Sequence, residues 1–126
     1  MKFISTSIHG ILDYSLALLL IATPWLFGFV DIGTHPESVI PILAGVAVAA
    51  YSIFTNYEWG AIRGLSMTAH LWMDAAGGLF LALSPWLFGF ASEVYLPHVI
   101  LGVLEIGSAL FTKTETSGQR EPEHIQ

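Results

Sequence analysis

The chain has 126 residues, of which 54% are hydrophobic and 11% charged, where an ordinary soluble domain carries about 25% charge. Its formal net charge is -6 with only 4 cations, so it has no basic patch for nucleic acid. Without cysteine it has no disulfide, thiolate metal site or catalytic thiol.

Such proportions place the chain in a bilayer, where about 20 apolar residues cross the hydrocarbon core. Four apolar stretches qualify, at about residues 8–30, 38–55, 67–90 and 94–112. Helix 1 is expected to start near Phe3 and to be retained, since its apolar run is longer than a signal peptide's and ends without small residues at a cleavage site. Asp13 then lies in the inner half of the membrane. Pro24 removes a backbone N–H, so a kink or helix end is expected there, with Thr23 bonding back toward Leu19. Trp25, Phe27 and Phe29 read as an outer aromatic belt.

A short loop, Asp31 to Glu37, makes helices 1 and 2 an antiparallel hairpin, with His35 in that loop. Helix 2 has no charged residue, and its Gly45 to Ala50 run offers small residues for close packing. The inner loop, Asn56 to Ser66, carries Arg63 and Trp59, which with Trp72 suits the inner interface. Helix 3 places Gly77 and Gly78 on the face of Asp74, a face suited to another helix, and Ser84 is set to bond toward Phe80. Helix 4 carries Glu105 at about the depth of Asp13 and Asp74, while His98 reads as an outer loop residue. Residues 113–126 form a polar tail expected to be disordered.

The first and third helices are copies. His9, Asp13, Leu18, Leu20 and the run Pro24-Trp25-Leu26-Phe27-Gly28-Phe29 recur as His70, Asp74, Leu79, Leu81 and Pro85-Trp86-Leu87-Phe88-Gly89-Phe90, which makes 10 identities in 21 ungapped positions. Helices 2 and 4 align Gly45 with Gly102, Phe54 with Phe111 and Thr55 with Thr112, and Glu105 stands where the first copy has Val48. The chain is read as all-α, a four-transmembrane-helix bundle of two tandem two-helix repeats (about 8–55 and 67–112) in parallel orientation within one membrane domain, 1–112. Lys2, Arg63, Lys113 and Arg120 all fall on one side of it. Both termini are therefore expected in the cytoplasm.

The Thr-Pro-Trp and Ser-Pro-Trp triplets, each with an upstream Asp and a downstream Gly-Phe inside a two-helix unit, resemble the SPW repeat family of small bacterial membrane proteins over about residues 8–112. The resemblance implies a helical membrane fold in the bacterial cytoplasmic membrane. It implies no established activity, substrate or cofactor.

Acidic groups in hydrocarbon cost about 2.5 to 3.5 kcal/mol each on insertion scales, so Asp13, Asp74 and Glu105 need a compensating reason. His9 and His70 each precede an aspartate by four residues, on the same helical face. Parallel repeats have a pseudo-two-fold axis along the membrane normal, which can bring His9, Asp13, His70 and Asp74 together with Glu105 close by. The first reading is a buried hydrogen-bond network holding helices 1, 3 and 4 in register, with Arg63 capping it. Alternatives are a metal site on His nitrogens and carboxylate oxygens, a proton or ion relay, and a bis-His haem. The Pro-Trp-Leu-Phe-Gly-Phe motif reads as an interfacial anchor with a proline-set helix end, or as an aromatic groove for a lipid, quinone or helix. No nucleophile elbow, phosphate loop or HExxH is present. The expected function is a non-enzymatic, self-associating membrane scaffold or interaction module that needs no cofactor; the alternative is an ion or proton conductor or a metal-binding protein using the cluster.

Overall fold

Two serines start the odd-numbered helices. In the computed structural model, which describes residues 2–30 and 35–115, α1 spans Thr6–Leu26 and α3 spans Met67–Leu87. The Ser5 hydroxyl accepts from the Ile8 amide at 3.2 Å and Ser66 accepts from Ala69 at 3.1 Å, each relieving one orphan amide of the first turn. α1 thus begins three residues later than expected, because Phe3 and Ile4 are extended and engaged elsewhere. α2 (Pro36–Ile53) and α4 (Leu96–Phe111) have no side-chain cap but open with Pro36 and Pro97, whose fixed φ suits a first turn.

The Pro-Trp-Leu-Phe-Gly-Phe run is a helix stop. The Phe29 amide donates to the Pro24 carbonyl at 2.9 Å and Phe90 to Pro85 at 2.8 Å. Between them Gly28 and Gly89 take φ of 71° and 74°, the left-handed conformation that glycine adopts without steric penalty. This is the Schellman arrangement, with proline three positions before the cap and glycine just after it. Each helix therefore continues through its proline and ends two residues later, at Leu26 and Leu87. Thr23 bonds back to the Leu19 carbonyl at 2.6 Å, as expected. Ser84 departs from expectation and bonds Leu81 at 2.7 Å, one residue nearer than Phe80.

Two hairpins, α1–α2 and α3–α4, pack closely within themselves and sparsely against each other. Glycine sets the close approach in both. A Cβ at Gly45 would lie 2.6 Å from the Ala17 carbonyl oxygen, and one at Gly78 would lie 2.7 Å from that of Gly102. A Cβ at Gly77, in contrast, would meet only Glu105 Oε1, at 3.8 Å, so only one of the two glycines is pressed against a helix.

At one end the hairpins interlock through backbone. Ile4 bridges to Thr112 beyond α4, and Leu65, before α3, bridges to Thr55 beyond α2. The Lys113 amide donates to the Ile4 carbonyl at 2.9 Å, so the chain is still held at the first residue of the expected tail, whose remainder from residue 116 lies outside the described residues. Trp59 closes the loop over α1, donating from its indole to the Ser7 carbonyl at 2.8 Å and lying against Gly10, where a Cβ would come within 2.1 Å of the ring. Toward the other end Leu20, Leu81 and Leu101 form a buried apolar layer. By length and composition α1 and α2 can cross a membrane; α3 matches α1 at 21 residues, and α4 has 16.

Candidate functional site

Four buried side chains from the first halves of α1 and α3 meet between the hairpins. His9 Nε2 lies 2.7 Å from Asp74 Oδ2 and 3.0 Å from Asp13 Oδ1. His70 Nε2 lies 3.0 Å from Asp13 Oδ2 and 3.1 Å from Asp74 Oδ2. Each histidine thus faces both its own aspartate, one turn on, and the aspartate of the other helix. The rings stand edge to face with centroids 5.4 Å apart. All four side chains are at most 5% exposed, and no lysine or arginine occurs in any of the four helices.

The even-numbered helices supply the surroundings, and these residues the sequence reading missed. Thr112 Oγ1 is 2.7 Å from His9 Nδ1, and Thr55 Oγ1 is 2.7 Å from His70 Nδ1. Both threonines also donate to the carbonyl four residues back, Ser108 and Tyr51, at 2.6 Å. Ser108 Oγ lies 3.0 Å from His9 Nδ1 as well. The alignment of Thr55 with Thr112 was the one available signal. Two tyrosines complete the shell: Tyr51 donates to Asp74 Oδ1, and Tyr57 donates to Asp13 Oδ2 at 2.9 Å. Tyr57 follows α2 in the loop, and burial, then the charge of Asp13, push its hydroxyl above a tyrosine's ordinary 10, so it remains a donor. It is Tyr57 that closes the cluster from this side; Arg63, the expected cap, is exposed.

Glu105 stands one residue removed, buried, with Oε1 3.3 Å from the Tyr51 hydroxyl. It lines both a cleft of about 530 Å³ between α2 and α3 and one of about 380 Å³ between α1 and α4, and Asp13 and Asp74 also line the second.

The aromatic motif divides in two. Trp25, Phe27, Trp86 and Phe88 are at least half exposed and face outward. Phe29 and Phe90 do not join that belt: the left-handed glycine turns the chain back, and their rings lie 5.5 and 4.9 Å from the ring of His98. His98 belongs to α4 and not to a loop. It is buried and donates from Nε2 to the Glu37 carbonyl at 2.9 Å, joining the starts of α4 and α2. His35 is the residue before α2 and stays exposed.

With this geometry in place, comparison with known families is decisive for membership. The model of the SPW repeat domain matches residues 7–112. The chain belongs to the SPW repeat family. No curated protein and no solved structure matches it. Both Pro-Trp motifs and all five clustered acidic and histidine residues, His9, Asp13, His70, Asp74 and Glu105, fall inside the matched region of this SPW repeat protein.

Proposed function

We propose that this SPW repeat protein is a non-enzymatic membrane module of the bacterial cytoplasmic membrane, in which the His/Asp tetrad joins two helical hairpins into one unit that self-associates. The observation that carries the reading is the crossed pairing of α1 and α3: their backbones make little contact, yet His9 reaches Asp74 and His70 reaches Asp13. Hydrogen bonds between membrane helices are worth about 0.6 to 1.7 kcal/mol each, and breaking a buried ion pair costs about 3 to 5 kcal/mol, so such a tetrad is a strong local joint.

Four spans are supported by the lipid-like outer surface of every helix. Leu18, Leu43, Trp72, Leu79, Leu104 and Leu110 are each more than half exposed, an apolar shell that water would not tolerate. Lys2, Arg63 and Lys113 cluster at the interlocked end, which the charge rule assigns to the cytoplasm. The Leu20, Leu81 and Leu101 layer outside the tetrad favours a closed module over an ion conductor.

The test is Asp74→Asn in the purified protein. It is expected to lower stability in detergent by about 2 kcal/mol or more while the protein still inserts. Unchanged stability would sink the joint. Because the chain lacks cysteine, single cysteines at positions 2, 63 and 113 should label only from the cytoplasmic face, and one at 93 only from outside.

A further inference from the structure

The hydroxyl protons at the tetrad can be counted. Each threonine hydroxyl has one proton, and a carbonyl can only accept, so Thr55 and Thr112 spend theirs on Tyr51 and Ser108. At their 2.7 Å contacts with the imidazoles they must therefore accept. Both histidines consequently donate from Nδ1 and turn Nε2 toward the two carboxylates, where His9 Nε2 hydrogen-bonds Asp74 Oδ2 at 2.7 Å and a metal ion would take the place of the Nε2 proton. A second feature agrees with this. His70 Nε2 is buried and lies within 3.1 Å of both aspartates, yet its direction makes a hydrogen bond to neither among the described residues.

We propose that His9 and His70, through Nε2, and Asp13 and Asp74, through one oxygen each, form a binding site for a single divalent transition-metal ion. The proposal rests on the reading of the tetrad as the joint between hairpins and names what occupies it. One donor atom from each residue can be chosen so that all four lie within 4.8 Å of one another, a set that can contract around an ion at about 2.0 to 2.2 Å. Two imidazole nitrogens with two carboxylate oxygens suit Zn(II), Mn(II) or Fe(II), whereas Mg(II) and Ca(II) take oxygen. Charge fits as well: without an ion the carboxylates have only the two imidazoles as cationic partners, since no lysine or arginine lies in any helix, and a dication that displaces the Nε2 protons leaves neutral imidazoles and neutralises both carboxylates.

The surroundings are those of a ligand-orienting shell. Threonine oxygens hold the far nitrogen of each imidazole, and Tyr51 and Tyr57 donate to the carboxylates. The two imidazole rings stand edge to face with centroids 5.4 Å apart, an arrangement that leaves no room for a macrocycle between them. The 380 Å³ cleft lined by Asp13, Asp74, Glu105 and Ser108 opens directly beside the two carboxylates.

The experiment uses the full chain in detergent, stripped of metal and dialysed against Zn(II), Mn(II) or Co(II). Elemental analysis gives stoichiometry, and the visible spectrum of Co(II) reports its ligands. One ion per chain is expected, abolished by His9→Ala with His70→Ala. Since that variant can fail to fold, Thr55→Val with Thr112→Val, which leaves all four ligands in place, provides the second arm: affinity should fall by about 10- to 100-fold with helix content unchanged. A folded wild type that takes up no stoichiometric ion overturns the metal site. So does an ion that survives the histidine changes in a folded variant, or an affinity that the threonine changes leave untouched. If the metal site fails while Asp74→Asn still destabilises the protein, the joint stands; loss of that destabilisation would remove the joint instead.

Discussion

Adjacent glycines in α3 should respond to alanine with opposite sign. At Gly77 a new Cβ meets only Glu105 Oε1, at 3.8 Å, an ordinary contact. Alanine there gains helix propensity, about 1 kcal/mol relative to glycine, with nothing to displace. At Gly78 the same methyl would sit 2.7 Å from the Gly102 carbonyl oxygen, 3.0 Å from Ile106 and 3.1 Å from the Glu105 Cβ. The nearest of these is backbone of the facing helix, so the helices must separate, and overpacking of this kind costs about 1 to 3 kcal/mol. The propensity gain is common to both substitutions, so their difference isolates the clash. Gly77→Ala is expected to be the more stable by about 1 to 3 kcal/mol. Equilibrium unfolding in mixed detergent, followed by far-ultraviolet circular dichroism, measures this directly. Equal stabilities, or a more stable Gly78→Ala, would refute the close α3–α4 approach. Gly45→Ala should resemble Gly78→Ala, since its Cβ would lie 2.6 Å from the Ala17 oxygen.

Two further outcomes are expected. Tyr57 holds its proton more tightly folded than unfolded, so its contribution is complete below pH 10, the ordinary tyrosine value, and declines as pH rises above it. Tyr57→Phe should therefore flatten the loss of stability between about pH 10 and 12 while costing about 1 to 2 kcal/mol at neutral pH, where its bond to Asp13 is intact; an alkaline unfolding curve of the same slope would contradict this. Ser5→Ala and Ser66→Ala should each cost about 1 kcal/mol through the lost cap, and hydrogen exchange should rise at the Ile8 and Ala69 amides; unchanged exchange there would count against the caps.

Local grammar determined much of this protein from sequence alone. Apolar runs, His and Asp four residues apart, and the recurrence of that frame 61 residues on are properties of short stretches, and they placed the helices and the pair of imidazole–carboxylate faces. The helix stop is also local, because only glycine takes φ near 70° freely, and Gly28 and Gly89 stand where the turn needs them. Even so, the motif read as a membrane anchor, since whether Phe29 and Phe90 face lipid or His98 depends on where α4 passes.

The rest was decided by tertiary structure, for reasons of distance along the chain. Thr112 is 103 residues from the histidine it orients, and Tyr51 reaches Asp74 from another helix. No periodicity within α1 or α3 specifies those partners. They follow from the interlocked ends, where Ile4 meets Thr112 and Leu65 meets Thr55, and from the glycine contacts that fix each hairpin. Sequence could bring four polar residues to the same depth; the crossing of two hairpins supplied the hydroxyl groups that hold both imidazoles with Nε2 beside the same pair of carboxylates.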